Sequence, residues 1–259
     1  IHDGLQDNFH KIESDIIPVG IFDEIVIKES KKERIVFNID RLNDETTTIH
    51  NALSIVRECN PSFDKSFEII VDKQIPLESG LGGGSSNGAA IINFLCSYYE
   101  LSMPSYQDVV KHVGSDVPFF INKKPATISG IGENVVNLND TSPMKIIIAV
   151  PKIGLTTKKV FEKYDSIKSK HSEKFLWNGI SIFNDLWNSS IEIYPELKTI
   201  KQNLEDSYNK NFFMSGSGSA LFSLFEEHEE IEEIVSKEFS LKYFSITKKI
   251  DCSLSQNDD

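Results

Sequence analysis

A chain of 259 residues is long enough for one large domain or two modest ones, and its 39% hydrophobic and 25% charged residues are typical of a globular protein. The net charge of -12 argues against nucleic acid or an anionic membrane as a partner, because both require clustered lysine and arginine. Three widely spaced cysteines without metal-ligand spacing predict reduced thiols, and no segment has the length of a membrane span.

The first half of the chain shows both strand and helix patterns. Strands are predicted where polar and apolar residues alternate, at residues 23–30, 33–40 and 66–76, with the polar SKKE at 30–33 as a hairpin turn between the first two. Helices are predicted where apolar residues recur at helical spacing, at residues 46–59, from about Ser85 onward, and at 104–114. Residues 114–138 are expected to form a loop followed by strands.

The second half begins after NDTSP at 139–143, which is the best boundary signal in the sequence. We therefore predict one domain over residues 1–143 and another over residues 144–259. Strands are predicted at residues 144–151, 211–216, 220–225 and 243–250, and helices at 156–167, 181–191, 195–204 and 229–239. The polar tail at 253–259 is predicted to be disordered. The whole pattern predicts an α+β protein with mainly antiparallel sheets.

The stretch IPLESGLGGGSSNGAAIINFL, residues 75–95, places a glycine cluster directly before a buried helix. A helix N-terminus leaves several backbone N–H groups without helical acceptors, and the helix dipole adds partial positive charge there. Glycines let a phosphate approach these N–H groups, and the following serines can cap the helix or donate to the anion. Neither the Walker A nor the Rossmann pattern fits. Taken alone, the cluster is equally typical of a flexible turn before a core helix.

Two further clusters change this balance, namely GSDVPFF from Gly114 and MSGSGSALFSLF from Met214. Together with GLGGGSSN they resemble the GHMP small-molecule kinases, in the same order and along nearly the whole chain. DNFH at 7–10, KQIP before the glycine loop, GIGE at 130–133 and NDL at 184–186 extend the likeness. The SDVPFF and NFH pieces favour the branch of this family whose substrate carries a cytidine diphosphate.

This resemblance implies a two-lobed fold, with an N-terminal domain like the second domain of ribosomal protein S5 and a ferredoxin-like C-terminal domain. It implies ATP and Mg²⁺ as cofactors. It also implies a reaction, the phosphorylation of the 2-hydroxyl of a diphosphocytidyl methylerythritol on the non-mevalonate route to isoprenoid precursors.

The resemblance also assigns roles to residues. Asp116 is expected to take the proton of the acceptor hydroxyl, although an Asp at this position is also typical of a helix or turn cap. ATP phosphates are expected to be held by the first glycine loop, at Gly80, Gly82, Gly83, Gly84, Ser85 and Ser86. One of the serines is expected to help position Mg²⁺, whose remaining ligands the sequence leaves unknown. Asn87 is a minor candidate.

The substrate side is expected to use residues from both halves of the chain. Phe9 and His10 would hold the cytosine, and Phe161 is a second candidate aromatic, although helical aromatics are commonly core residues. Gly216, Ser217 and Gly218 are expected to form a second loop near the phosphates or the acceptor. Lys73 either offsets phosphate charge or is a solvated residue at a strand end, and Glu78 is expected to face solvent.

One departure from the family pattern lies at the N-terminus, where the family has a strand resembling P-A-K-I-N-L with a lysine at the reacting centre. We hypothesise that the first strand is missing and that the sequence as written folds poorly or has little activity. Two alternatives stay open, namely another GHMP kinase acting on homoserine or mevalonate, and a non-catalytic nucleotide-binding homologue. A monomer or homodimer is expected in a bacterial cytoplasm, or in a plastid if a transit segment is missing.

Overall fold

The computed structural model describes residues 1, 5–6, 9–139, 142–167, 174–233 and 239–250, except for the side chains of residues 5, 6 and 9. The chain divides into two compact units. Unit 1 comprises Ile1–Ile75, Gly82–Thr141 and Ile250–Asp259, and unit 2 comprises Pro76–Leu81 and Ser142–Lys249. The first half of the glycine loop therefore belongs to unit 2, whereas its second half belongs to unit 1.

The described part of unit 1 contains one short antiparallel pair and two three-stranded sheets. Its strands are β1 (Leu5–Gln6), β2 (Phe9–His10), β3 (Ile12–Ile16), β4 (Glu24–Ser30), β5 (Arg34–Phe37), β6 (Ser66–Asp72), β7 (Ala126–Gly130) and β8 (Asn134–Asn137). β1 pairs with β2, one sheet has the order β3-β7-β8, and the other has the order β4-β6-β5. The strands predicted at 23–30, 33–40 and 66–76 are thus present.

The predicted hairpin between β4 and β5 is wrong. Both strands pair with β6, which lies in the middle of the sheet; β4 runs antiparallel to it and β5 parallel. The reason lies in the burial of β6, where Phe67, Ile69 and Val71 are at most 1% exposed. A strand with such a buried face favours the centre of a sheet, whereas the more polar β4 is suited to an edge.

Four α-helices cover the sheets of unit 1 in its described part, namely α1 (Thr48–Cys59), α2 (Gly83–Tyr98), α3 (Tyr106–His112) and α4 (Val117–Asn122). A 3-10 turn spans Asp40–Asp44. α1 and α2 bury Leu53, Val56, Ile91 and Leu95 in the main core together with the inner face of β6. Hydrophobic burial of this face fixes the N-terminus of α2 against the rest of the unit.

α2 and α4 differ in part from the prediction. α2 begins at Gly83, two residues before the expected start, because Gly82 takes a left-handed conformation that ends the loop there. The segment 114–138, expected to be a loop followed by strands, also contains α4, with Pro118 in its first turn. Proline has no N–H to lose at that position and its fixed φ suits a helix start, so the SDVPFF motif is a helix N-terminus.

Unit 2 is built on one four-stranded antiparallel sheet. Its strands are β9 (Met144–Pro151), β12 (Phe213–Met214), β13 (Leu221–Glu226) and β14 (Leu241–Lys248), and a separate hairpin joins β10 (Phe175–Trp177) to β11 (Ile180–Ile182). The sheet order is β12-β13-β9-β14. The first and last of its strands therefore lie side by side at the centre and edge, as in ferredoxin-like folds. The helices in the described part of unit 2 are α5 (Thr157–Ser166), α6 (Trp187–Ile193) and α7 (Glu196–Tyr208).

Two predicted helices of unit 2 need correction. The helix predicted at 181–191 begins only at Trp187, because Asn178 and Gly179 have positive φ angles and form the turn of the β10–β11 hairpin. An Asn-Gly pair is a strong hairpin signal that the helical periodicity obscured. Residues 229–233 of the helix predicted at 229–239 are not helical. Residues 234–238, Cys252, the tail at 253–259, and residues 140 and 141 of the boundary segment lie outside the described residues.

The α+β class with a mainly antiparallel arrangement is confirmed. Across the part of the chain that the structure describes, no helix is both long and apolar enough to cross a membrane.

Candidate active site

The exit of the glycine loop forms the N-terminus of α2. Gly82 has a φ of 68°, and a Cβ there would lie 2.6 Å from the Phe120 ring. A Cβ on Gly83 would lie 2.8 Å from Cγ2 of Ile75, so packing within the unit also excludes a side chain at that residue. Gly84 differs, because it is exposed and its nearest neighbour, Oγ1 of Thr48, would be 3.7 Å from a Cβ, an ordinary contact.

The backbone of this segment is arranged to receive an anion. The N–H groups of residues 83–85 belong to the first turn of α2 and have no acceptor within the helix, whereas the N–H of Ser86 donates to the carbonyl of Gly82 at 2.8 Å. The partial positive charge at the N-terminus of the helix also favours an anion there. The segment can therefore hold a phosphate by backbone donors alone.

The two serines of the loop are not equivalent. The Ser86 hydroxyl donates to the carbonyl of Gly83 at 3.0 Å and is thus engaged within the helix. The Ser85 hydroxyl makes no hydrogen bond to any residue that the structure describes, although Ser85 is half-buried. Ser85 is therefore the serine that is available to a ligand.

Asp116 immediately precedes α4, but its carboxylate does not cap that helix. Among the described residues it has no hydrogen-bond or ion-pair partner. Burial raises the pKa of the Asp116 carboxyl above its ordinary value, because the surrounding protein displaces much of its water. The residue nevertheless keeps an exposed surface, which limits the size of this shift and leaves the carboxylate accessible. The capping interpretation is not supported.

The Asp116 segment is held close to the N-terminus of α2. A Cβ on Gly114 would lie 3.9 Å from the Ser85 hydroxyl. Gly132 has a φ of 115°, and a Cβ there would lie 2.1 Å from the carbonyl oxygen of Ser115, so only glycine permits this close approach. Unit 1 thus brings together the carboxylate segment, the end of the glycine loop and the GIGE turn.

The entry half of the glycine loop and the second glycine loop lie together in unit 2. The N–H of Ala220 donates to the carbonyl of Ser79 at 2.8 Å, and the Ser215 hydroxyl donates to the carbonyl of Gly80 at 2.8 Å. Gly80 has a φ of 74°, and a Cβ there would lie 2.2 Å from the carbonyl oxygen of Ser215. Gly80 is therefore required by the contact between the two loops.

Further hydrogen bonds hold the second loop itself. Asn184 donates through its amide nitrogen to the carbonyl of Gly216 at 2.8 Å, which explains the NDL motif in structural terms. The Ser217 hydroxyl lies 2.9 Å from that of Thr157, the first residue of α5, and Ser217 is only 9% exposed. A Cβ on Gly218 would lie 2.8 Å from Sδ of Met214. Of the three predicted residues, Gly216 is the exposed one.

The residues predicted for the cytosine lie on separate elements. His10 is half-buried in β2, and the backbone of Phe9 pairs with Gln6, while the Phe9 side chain lies outside the described part. Phe161 is half-buried on α5 and belongs to unit 2, whereas His10 belongs to unit 1. The cytosine pocket stays a prediction.

A buried polar network that the sequence did not predict lies below the glycine loop. The Lys73 ammonium pairs with the Asp23 carboxylate, and the two side chains are 2% and 1% exposed. Asn87 donates to this carboxylate at 2.9 Å and accepts from Lys73 at 2.9 Å. Lys73 is therefore not a solvated residue at a strand end. By contrast, Glu78 is exposed, as expected.

No group of three or more His, Cys, Asp or Glu side chains in the described ranges is arranged to hold a metal ion.

Two family models match the chain. The model described as GHMP kinases N terminal domain matches residues 47–124, and the one described as GHMP kinases C terminal matches residues 173–239. The chain therefore belongs to the GHMP kinases, small-molecule kinases that use ATP as the phosphate donor.

Two similar relatives carry the same name. A 4-diphosphocytidyl-2-C-methyl-D-erythritol kinase from Clostridioides difficile (strain 630) is 31% identical over 92% of this chain and 86% of its own length. A protein of the same name from Anaplasma phagocytophilum (strain HZ) is 32% identical over 86% of this chain and 80% of its own length.

Solved structures show the same fold. A crystal structure of 4-(cytidine 5'-diphospho)-2C-methyl-D-erythritol kinase superposes with a TM-score of 0.70 at 24% identity, over 86% of this chain and 84% of the other. A homoserine kinase from Cytophaga hutchinsonii superposes with a TM-score of 0.63 at 15% identity, over 91% and 88%. At these identities both matches show the fold alone.

Proposed function

We propose that this protein transfers the γ-phosphate of ATP to the 2-hydroxyl of 4-diphosphocytidyl-2-C-methyl-D-erythritol, in the non-mevalonate route to isoprenoid precursors. The observation that carries the proposal is the agreement of relatives with this one name at 31% and 32% identity over most of the chain. A phosphoryl transfer is further supported by a carboxylate without a partner among the described residues, on a segment that lies close to the N-terminus of α2.

Asp116 is the proposed base. A general base needs a carboxylate that is within reach of the acceptor hydroxyl and is not committed to another proton or cation. Asp116 has no partner among the described residues, and its raised pKa makes it a stronger base than a solvated Asp. It would accept the proton of the 2-hydroxyl as that oxygen attacks the γ-phosphorus, and ADP would leave.

The phosphates of ATP are proposed to bind the N–H groups at the start of α2 and the backbone of Gly80, Gly82, Gly83 and Gly84. Ser85 would donate a hydrogen bond from its hydroxyl to a phosphate oxygen, or would coordinate Mg²⁺ through its hydroxyl oxygen. Ser86 would contribute its N–H rather than its engaged hydroxyl. Mg²⁺ usually takes one or two protein ligands, with substrate phosphates and water supplying the others, so the sparse donor set fits this ion. When bound, it would neutralise phosphate charge.

The substrate is proposed to be held by three side chains and by the second glycine loop. Phe9, His10 and Phe161 would hold the cytosine by stacking and hydrogen bonding, and the loop of Gly216, Ser217 and Gly218 would border the phosphates or the acceptor. The supporting observation is that His10 and Phe161 are half-buried rather than core residues, so each side chain is partly exposed to solvent.

The domain organisation is proposed as residues 1–143 and 144–259, and the positions of the two family models support it. We also propose a monomer or homodimer in a bacterial cytoplasm or a plastid. Cys59 and Cys96 are free thiols, which suits a reducing compartment.

A direct test measures ADP release by the purified chain with ATP, Mg²⁺ and one acceptor at a time: the diphosphocytidyl substrate, homoserine or mevalonate. Turnover of the cytidine-bearing acceptor alone, and its loss in Asp116→Asn, is expected. Turnover of homoserine or mevalonate instead would assign the chain to another GHMP kinase activity. ATP binding without turnover of any acceptor would favour the non-catalytic alternative.

A further inference from the structure

The buried network of Asp23, Lys73 and Asn87 connects the two ends of the glycine loop. Asp23 precedes β4, and one oxygen of its carboxylate accepts the N–H groups of Gln74 and Ile75, each at 2.8 Å, where the chain enters the loop. The other oxygen accepts from Lys73 and from the amide of Asn87, which lies in the second turn of α2, where the chain has left the loop.

The network lies directly below the backbone that would bind phosphate. A Cβ on Gly83 would be 3.2 Å from the Lys73 ammonium. The ammonium itself cannot reach a ligand, because its side chain is 2% exposed and it is bonded to Asp23 and Asn87. Since the lysine and aspartate charges cancel at close range, the pair contributes little net field to a phosphate. Its contribution is therefore geometric.

Several bonds make this geometry rigid. The N–H of Lys73 donates to the side-chain oxygen of Asn38 at 2.9 Å, which ties the end of β6 to the residue after β5. The Asp23 carboxylate accepts four hydrogen bonds in all, two from backbone and two from side chains. A buried charge pair that is held by this many hydrogen bonds has one stable arrangement and resists displacement.

We propose that Asp23 is a positioning residue for ATP: through Asn87 and Lys73 it fixes the first turns of α2 relative to the loop entry, so that the N–H groups of residues 83–85 present one phosphate-binding geometry. The inference rests on the proposed ATP-dependent kinase function. Backbone donors bind a phosphate well only when they are already aligned. Loosening this link therefore lowers the affinity for ATP and leaves the affinity for the other substrate largely unaffected.

Asn87→Ala is the sharpest test, because it removes the link to α2 while retaining the Lys73–Asp23 pair and a good helix-forming residue. The matched control is Asn93→Ala on the same helix, where a half-buried amide donates to the carbonyl of Ile121 at 3.5 Å. Asn87→Ala is expected to raise the KM for ATP about tenfold or more while the KM for the diphosphocytidyl substrate changes less than about twofold. Asn93→Ala is expected to leave both constants unchanged.

Lys73→Met provides a second test, with Lys65→Met as its control. Both lysines flank β6 and pair with an acidic residue near an end of β4, but the Lys65–Glu29 pair is exposed, at 40% and 54%. Only Lys73→Met is expected to raise the KM for ATP. A lower Tm with an unchanged KM for ATP in both Asn87→Ala and Lys73→Met would reduce the network to a structural role and overturn the inference.

A binding measurement separates this inference from the proposed function. If the wild type does not turn over the diphosphocytidyl substrate, calorimetry compares a non-hydrolysable ATP analogue with adenosine. The inference then requires that Asn87→Ala raises the Kd of the analogue by a factor about ten times larger than it raises the Kd of adenosine. Equal weakening of the two ligands would overturn it, and so would failure of the wild type to bind the analogue.

Discussion

Substituting single glycines of the first loop should separate ATP binding from stability. Gly80 and Gly84 lie four residues apart, but the protein uses them differently. Gly80 has a φ of 74°, and a Cβ there would overlap the carbonyl oxygen of Ser215. Gly84 is exposed and helical, and a Cβ there would make only ordinary contacts. Packing therefore explains the absence of a side chain at Gly80 and does not explain it at Gly84. A ligand that approaches the backbone would explain it at Gly84.

The two alanine variants are accordingly expected to change opposite properties. In Gly80→Ala the left-handed backbone alone costs about 1–2 kcal/mol, and the overlap with a backbone carbonyl adds to this. For a chain of this size a loss of about 2 kcal/mol lowers Tm by roughly 4–8 °C. In Gly84→Ala the helix gains about 0.5–1 kcal/mol, so Tm is expected to stay constant or rise by about 2 °C.

Gly84→Ala is expected to weaken ATP binding although it does not lower Tm. A methyl group at the backbone that is proposed to bind phosphate is expected to raise the KM for ATP by about tenfold or more, because the phosphate could no longer approach the N–H groups. Thermal unfolding by circular dichroism and steady-state kinetics on the same preparations measure both quantities. An unchanged KM for ATP in Gly84→Ala, or an unchanged Tm in Gly80→Ala, would refute this division of roles.

The remaining predictions concern Asp116 and the two serines. Asp116→Asn is expected to lower kcat by about 10²–10⁴-fold, measured as ADP release, and a smaller loss would argue against general-base catalysis. Since the base must be deprotonated and burial raises its pKa, kcat/KM should rise with pH along a limb whose midpoint lies above the ordinary Asp value of 3.8. A raised folded-state pKa means that the ionised carboxylate destabilises the fold, so Asp116→Asn should raise Tm at about pH 7 and leave it unchanged below about pH 3. Ser85→Ala is expected to raise the KM for ATP or the Mg²⁺ concentration that activity requires, whereas Ser86→Ala should chiefly loosen the first turn of α2. Equal kinetic effects of the two variants would contradict the difference between their hydroxyls.

Local sequence patterns predicted most elements of the fold, because those elements have strong periodicity of their own. β9 appears as an apolar run and spans Met144–Pro151 as predicted. The hairpin error has a different origin. β4 and β5 are neighbours in the sequence, but β6 lies between them in the sheet. β6 follows α1 in the chain, so the residues of the turn between β4 and β5 do not specify its position.

The site was predictable to the extent that its residues are adjacent in sequence. The glycine loop and the Asp116 segment are short motifs, and each appears as one continuous stretch. The Asp23 network could not be found this way, because its members are separated by 50 and 64 positions. A lysine at the end of a strand is usually solvated, and only the tertiary structure shows that an aspartate before a different strand buries it.

Asp23 and Asp116 show how the same side chain can serve two purposes within unit 1. Asp23 accepts four hydrogen bonds and carries its charge beside an ammonium, so every lone pair that could react is already used. Asp116 accepts none from the described residues, and its surroundings oppose ionisation. A fold selected for stability alone would supply Asp116 with a donor or replace it. A carboxylate without a donor among the described residues, on a segment close to the helix end that is proposed to bind phosphate, is expected of a residue whose partner is the substrate hydroxyl.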